Sequence, residues 1–350
     1  MRNHLLTLAR FDVPTAARAL DAAVRILAAV PGAPPSLEFR GRTTTENSTT
    51  RRPGDIVEEA GFLGRSPGRA PRIPMCRLLG IVASEPTEFG LGLTGAPRCL
   101  AKLSQEHRDG WGIAIHDAET TWDLQRGTAP AGDDSRFHEL AAKSRGRLLV
   151  AHVRQKTVGP TRLENTHPFV ESGWAFAHNG TIKHIDPLRA GSSSARLAAV
   201  AGDTDSELFF AYVLTRLDEA GLTRLEGEAS RARCTALLHV VMSELRAQQI
   251  GAFNFLLSDG TTTFAHRFGR SLFVLERGPA DPVRQERDVG DGATLVTRWT
   301  SRRQAILIAS ERITDEPWVE VPDGTLHRIE RLPVPNVVGV DGGEGRREAS

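Results

Sequence analysis

The order of its periodic segments is the strongest constraint on how this chain can fold. From residue 76 it runs through strand-like stretches (CRLLGIVAS, GWGIAIHD, TWDLQRG, LLVAHVRQ, WAFAHNGTI), then helix-like ones over 204–220 and 234–249. Strand-like stretches then return in GAFNFLLSDG, TTTFAHRFG, SLFVLERG, GATLVTRWT and AILIASERI. Shorter helices are expected at PRCLAKLSQEH and at Ser135–Lys143, with a hairpin turn around Glu119 and Thr120. A doubly wound parallel sheet needs strand and helix to alternate, because each parallel crossover uses a helix. Strand blocks enclosing a helical block predict instead an α+β fold in which antiparallel sheets are layered with helices.

That pattern starts where the composition changes. Residues 1–74 contain arginine but no lysine, one helix-like stretch, and a Pro, Gly, Thr and Arg-rich run without periodicity. Three readings stand for them: a disordered arm, a propeptide, or an upstream start ahead of a true one at Met75. Residues 75–335 then form the main domain, and 336–350 a flexible tail. The 350 residues carry a formal net charge of +1, so no overall field points to nucleic acid or a membrane surface, and a small molecule is the expected ligand. Cys76, Cys99 and Cys234 are too few and too scattered for a disulfide framework, which suits a cytoplasmic location. The histidines have no metal-ligand spacing, and the glycines of HRDGWGIAIHD do not match the dinucleotide fingerprint, so neither metal nor cofactor is expected.

Several residues invite chemistry, each with a plainer alternative. Cys76 follows a methionine and opens the first strand. If it became the first residue, its thiol would sit beside a free α-amine of pKa near 8, able to act as its base; otherwise it is a core cysteine. Asn179 and Gly180 are either a hairpin turn or two adjacent donors for an oxyanion. Arg154 lies in an apolar strand, where a fixed guanidinium can grip a carboxylate. His152 shares its side-chain parity, and one of the two could be a solvated face residue. Asp205 either caps a helix, with Asp203 and Thr204 as competitors, or receives an ammonium group.

Taken in order, MCRLLG, HRDGWGIAIHD, AHVRQKTVG, NTHPF, AHNGTI, GDTDSE and IASERITDEPWVEVPDGTL resemble the class II, N-terminal-nucleophile glutamine amidotransferases. Within them the similarity is to the stand-alone YafJ-like group, related to the amidohydrolase of ergothioneine synthesis. It covers Met75 to about Leu332 and implies a four-layer α/β/β/α sandwich with two antiparallel sheets. It also implies roles: Cys76 as nucleophile with its own α-amine as base, Asn179 and Gly180 as the oxyanion pair, Arg154 for the substrate α-carboxylate and Asp205 for the α-ammonium. His167 would line the site, and Trp111, Gly112 and Thr157 would shape the pocket.

The implied reaction converts glutamine to glutamate and ammonia through a γ-glutamyl thioester, without a cofactor. The chain has little room for the acceptor domain of larger amidotransferases. A separate ammonia-accepting enzyme is therefore one expectation, and hydrolysis of a substituted γ-glutamyl intermediate another. A non-catalytic subunit retaining the fold, or an N-terminal-nucleophile peptidase, are further alternatives.

Overall fold

The structure is a computed structural model of the whole chain, and it describes residues 76–117, 121–278, 286–296 and 303–340. Residues 1–74 and the turn at Glu119 and Thr120, on which expectations fell above, lie outside these. In chain order the strands are β1 (Arg77–Glu88), β2 (Trp111–His116), β3 (Asp123–Gly127), β4 (Arg145–Val153), β5 (Phe169–Glu171), β6 (Trp174–Ile182), β7 (Gly251–Ser258) and β8 (Thr262–His266). They continue as β9 (Phe273–Arg277), β10 (Glu286–Gly290), β11 (Ala293–Val296), β12 (Ala305–Ala309), β13 (Val319–Glu320), β14 (Leu326–Glu330) and β15 (Asn336–Val340). The α-helices are α1 (Leu100–Leu103), α2 (Ser135–Lys143), α3 (Asp186–Ala190), α4 (Ser194–Ala198), α5 (Asp205–Glu219) and α6 (Gly227–Ala247).

Two antiparallel sheets result. The first runs β13-β9-β12-β1-β4-β2-β3 and the second β15-β14-β8-β7-β6-β5; β10 and β11 form a separate ribbon. Alternation along the central strands divides their apolar side chains between two cores. Leu79 and Ile81 of β1 pack with Leu149 and Ala151 of β4 beneath Leu100 of α1 and Phe137 of α2. Leu78 and Val82 turn the other way, onto Ala177, Leu256 and Ala265 of the second sheet. The far face of that sheet, with Phe176, Phe253 and Phe255, meets Phe209 of α5 and Leu238 of α6. Three cores between four layers make the α/β/β/α sandwich.

Differences from the expected elements have local causes. Helix α6 begins at Gly227, seven positions before the expected 234, because its first two turns carry a polar, largely exposed GEASRAR that shows no apolar stripe. Strand β14 was not expected, since LHRIE interleaves charges with apolar residues; buried Arg328 is accommodated there by Glu228 and Glu330, each 2.8 Å away. Asn336–Val340, expected to open a flexible tail, instead pairs with β14 as an edge strand.

Candidate active site

Cys76 stands immediately before β1, in the row of Leu78 and Val82 that faces the second sheet. The register pairs Arg77 with Val153, which sets Cys76 beside the residues that follow β4. Its thiol donates to the Gln155 carbonyl and accepts from the Gln155 N–H, both at 3.2 Å. Burial pushes the thiol above its usual pKa, with the Arg154 and Arg77 charges pulling the other way. A thiol held mostly protonated needs a base before it can attack a carbonyl.

Arg154 and His152 are both buried, so the expectation that one of them is solvated is corrected: at this end of β4 the inward row faces the second sheet. The Arg154 guanidinium donates to the carbonyls of Val158 at 2.8 Å, Pro160 at 3.0 Å and Gly159 at 3.3 Å. Burial lowers its pKa, opposed by the charges of Cys76, Asp109 and Asp205. The loop cradling it is stapled from two sides. Asp109 accepts from the Lys156 N–H and the Thr161 hydroxyl, while the Asn165 amide joins the Pro160 carbonyl to the Asp203 N–H. Asp109 and Asn165 fall in the quoted motifs HRDGWGIAIHD and NTHPF but were given no role there, because their partners lie in distant segments.

On the second sheet, Asn179 and Gly180 lie inside β6, opposite Asn254 and Phe253 of β7. The hairpin-turn alternative is thereby excluded. Strand β5 pairs with β6 only as far as Phe176, which leaves the edge of β6 open beyond it. The Lys183 N–H is taken by Ile250 just before β7, and N–H groups alternate between the two edges of a strand, so those of Gly180 and Ile182 point to the open edge. Ile182 there donates to the Asp205 carboxylate at 2.7 Å. Gly180 also lacks space for a side chain, since a Cβ would collide with the Ala252 carbonyl and the His178 ring.

Thr204, not Asp205, caps α5 by accepting from the Glu207 N–H. The buried Asp205 carboxylate gives one oxygen to Ile182, and its other oxygen lies 3.4 Å from the Ser206 hydroxyl. That hydroxyl is 2.8 Å from His178 Nδ1, while His178 Nε2 lies 3.3 Å from the Ala252 carbonyl. Burial lowers the His178 pKa, with the Asp205 charge opposing. In a neutral His178, the proton on Nε2 serves the Ala252 carbonyl and Nδ1 accepts from Ser206. The Ser206 hydroxyl lies between His178 Nδ1 and the second Asp205 oxygen, which it reaches only at 3.4 Å, so that oxygen keeps lone-pair capacity.

His167 is buried, its ring 4.4 Å from His152 and 4.5 Å from Phe169 by centroid, and neither of its ring nitrogens has a hydrogen-bond partner among the described residues. Burial, with the His152 charge second, holds its pKa well below the usual value. Gly112 makes room for this segment, since a Cβ there would run into the His167 carbonyl. Trp111 packs on Phe137 and donates to Asp134, and Thr157 is exposed on the loop that carries the Arg154 contacts. The arrangement offers a thiol, an open-edge N–H, a buried cation and a buried carboxylate at one end of the sandwich.

A family model for class-II glutamine amidotransferases matches residues 75–335. The chain therefore belongs to the class-II glutamine amidotransferases and is an enzyme acting on carbon–nitrogen bonds. Within the family it groups with YafJ-like proteins: it is 32% identical over 213 residues to the putative glutamine amidotransferase YafJ of Escherichia coli K12, spanning 59% of this chain and 78% of that one. It is 26% identical over 287 residues to the gamma-glutamyl-hercynylcysteine sulfoxide hydrolase of Mycobacterium tuberculosis H37Rv, spanning 78% of this chain and all of that one. Among solved structures it resembles a predicted glutamine amidotransferase from Pseudomonas aeruginosa PA01, with a TM-score of 0.50 and 26% identity over 72% of this chain and 96% of the other.

Proposed function

We propose that this enzyme hydrolyses a γ-glutamyl amide, glutamine in the simplest case, through a thioester on Cys76, and that it does so when Cys76 is the first residue of the mature chain. The observation that carries the reading is that Arg154 feels the charges of both Cys76 and Asp205, and that one Asp205 oxygen is engaged only by a long 3.4 Å contact from Ser206. In this reading Arg154 and the loop it organises take the substrate α-carboxylate, and Asp205 takes the α-ammonium. The γ-amide then lies at the thiol.

The half-buried thiol gives its proton to the α-amine, whose pKa near 8 leaves much of it neutral at cellular pH. Sulfur attacks the amide carbon, and the developing oxyanion meets the Gly180 N–H and the Asn179 side-chain amide. Collapse breaks the C–N bond, the amine leaves with the proton, and water hydrolyses the thioester to free glutamate. Ammonia so released goes to a separate acceptor enzyme or to solvent, in the reducing setting that the free cysteines suit.

A second reading, hydrolysis of a substituted γ-glutamyl compound, is favoured by the M. tuberculosis relative, whose name specifies such a substrate. Both readings share the thioester. Hydroxylamine added during turnover should divert it to γ-glutamyl hydroxamate in the wild type and give none with Cys76→Ala. Hydroxamate formation by the Cys76→Ala protein would refute the assignment of the nucleophile.

A further inference from the structure

Unlike its neighbour His167, the buried His178 has a partner at each ring nitrogen, and the two partners differ in kind. Nε2 lies 3.3 Å from the Ala252 carbonyl, which can only accept. Ala252 belongs to β7, opposite Thr181 of β6. Space there is closed, because a Cβ on Gly180 would collide with both His178 Nε2 and the Ala252 oxygen. Phe209 packs on the ring edge to face, with 5.7 Å between centroids. With the ring held in this way, the carbonyl settles the tautomer. A bare Nε2 would set lone pair against lone pair, so in the neutral ring the proton stays on Nε2 and Nδ1 is an acceptor.

That choice decides where the Ser206 hydroxyl points. Ser206 is buried, and its single proton has two acceptors near it, His178 Nδ1 at 2.8 Å and the second Asp205 oxygen at 3.4 Å. The first is a full-strength length, whereas the second lies beyond the usual range for a hydroxyl donor. The proton therefore goes to the imidazole. Without a bare Nδ1 it would turn to the carboxylate, since a hydroxyl on an ionised oxygen makes a strong, charge-assisted hydrogen bond. The Ile182 N–H already occupies the other oxygen at 2.7 Å. Asp205 would then carry an internal donor on each oxygen, and an arriving ammonium would have to displace one of them.

We propose that His178 is a positioning residue that acts through Ser206: it draws the hydroxyl proton away from Asp205, so that the carboxylate keeps one oxygen for the substrate α-ammonium. This rests on the ammonium role proposed above for Asp205 and names what sustains it. The discrimination that His178 supports is between ligands that carry the α-ammonium and ligands that lack it.

L-Glutamate and glutarate differ only in that group. The test is the ratio of their inhibition constants against hydrolysis of glutamine or of a chromogenic γ-glutamyl anilide, on protein produced from the whole gene. The wild type should bind glutamate about 10–100-fold more tightly than glutarate, the range of a hydrogen bond to a charged group. His178→Leu removes the acceptor and should lower that ratio about tenfold. His178→Asn, whose side-chain oxygen can accept from Ser206, should keep it near the wild-type value. Adding Ser206→Ala to His178→Leu removes the misdirected proton and should restore the ratio, which a packing role for the ring would not do.

A ratio unmoved by His178→Leu, or lowered and not restored by the added Ser206→Ala, overturns the role of His178, while continued hydrolysis leaves the thioester reading standing. If the His178→Leu chain does not fold, Ser206→Ala alone decides. A ratio at or above the wild-type value supports the role, and a loss of about tenfold would make the hydroxyl itself the ammonium ligand and overturn it. A wild-type ratio near one overturns the ammonium role of Asp205 together with that of His178. Failure to hydrolyse either substrate overturns the thioester reading as well.

Discussion

The two oxygens of the Asp205 carboxylate are held differently. One accepts from the Ile182 N–H at 2.7 Å, which fixes the carboxylate in place; the other has only a long 3.4 Å contact from the Ser206 hydroxyl, and it is the one the proposed function gives to the substrate α-ammonium. Asp205→Asn keeps an oxygen for Ile182 but removes the charge. It should raise KM for glutamine about 10–100-fold with a smaller change in kcat, the pattern of a lost ground-state grip; equal losses in kcat and kcat/KM would assign Asp205 to the chemical step instead. The sequence located Asp205 at a helix start but left capping and ligand binding open. Thr204 takes the cap, which excludes the capping role for Asp205; its ligand role belongs to the proposed function. Asn179 and Gly180 stayed ambiguous for a similar reason: the dipeptide is compatible with a turn, and its position within a strand follows from pairing with β7, far along the chain.

At the scale of elements, the site depends on segments that are not themselves regular. The loop of residues 155–161 holds its carbonyls against Arg154 because Asp109 and Asn165 staple it to the turn before β2 and to the approach of α5. Asn165→Ala leaves the Pro160 carbonyl and the Asp203 N–H unpaired. It should cost about 1–3 kcal/mol in denaturant unfolding and raise KM by loosening the Arg154 cradle; a stable variant with unaltered KM would detach this staple from the site. Gly112→Ala should be worse tolerated than its size suggests, because the added methyl meets the His167 carbonyl and must displace the segment bearing it. A kcat/KM reduced by less than about twofold would show that the segment can move without consequence. The long periodic elements were legible from sequence: α2 and β6 have the expected bounds. The polar first turns of α6 and the charged strand β14 were not, because partners elsewhere, such as Glu228 for Arg328, stabilise them where a hydrophobic pattern is missing.

For the whole molecule, one property follows from burying imidazoles. Burial lowers the pKa of His107 to about 4, of His152 to about 3 and of His266 to about 4. In the unfolded chain these groups take up protons as pH drops below about 6.5, whereas the folded protein resists until its lower values are reached. Stability should therefore be full above about pH 6.5 and decline as pH falls toward 4, each such group contributing a slope of up to about 1.4 kcal/mol per pH unit. Denaturation midpoints across that range check it, and a flat profile would mean that these histidines are solvated.

Strand blocks around a helical block anticipated antiparallel sheets layered with helices, and the family resemblance implied the four layers, but the convergence of β1, β4 and β6 on one end of the sandwich required the strand order, which periodicity does not encode. That end is where Cys76 enters β1, and the proposed mechanism needs an α-amine there. The most direct test is intact-mass and N-terminal analysis of protein made from the native gene, fraction by fraction, alongside ammonia release from glutamine. Activity should track molecules that begin at Cys76. Full activity in molecules that retain Met1 would contradict the α-amine as the base.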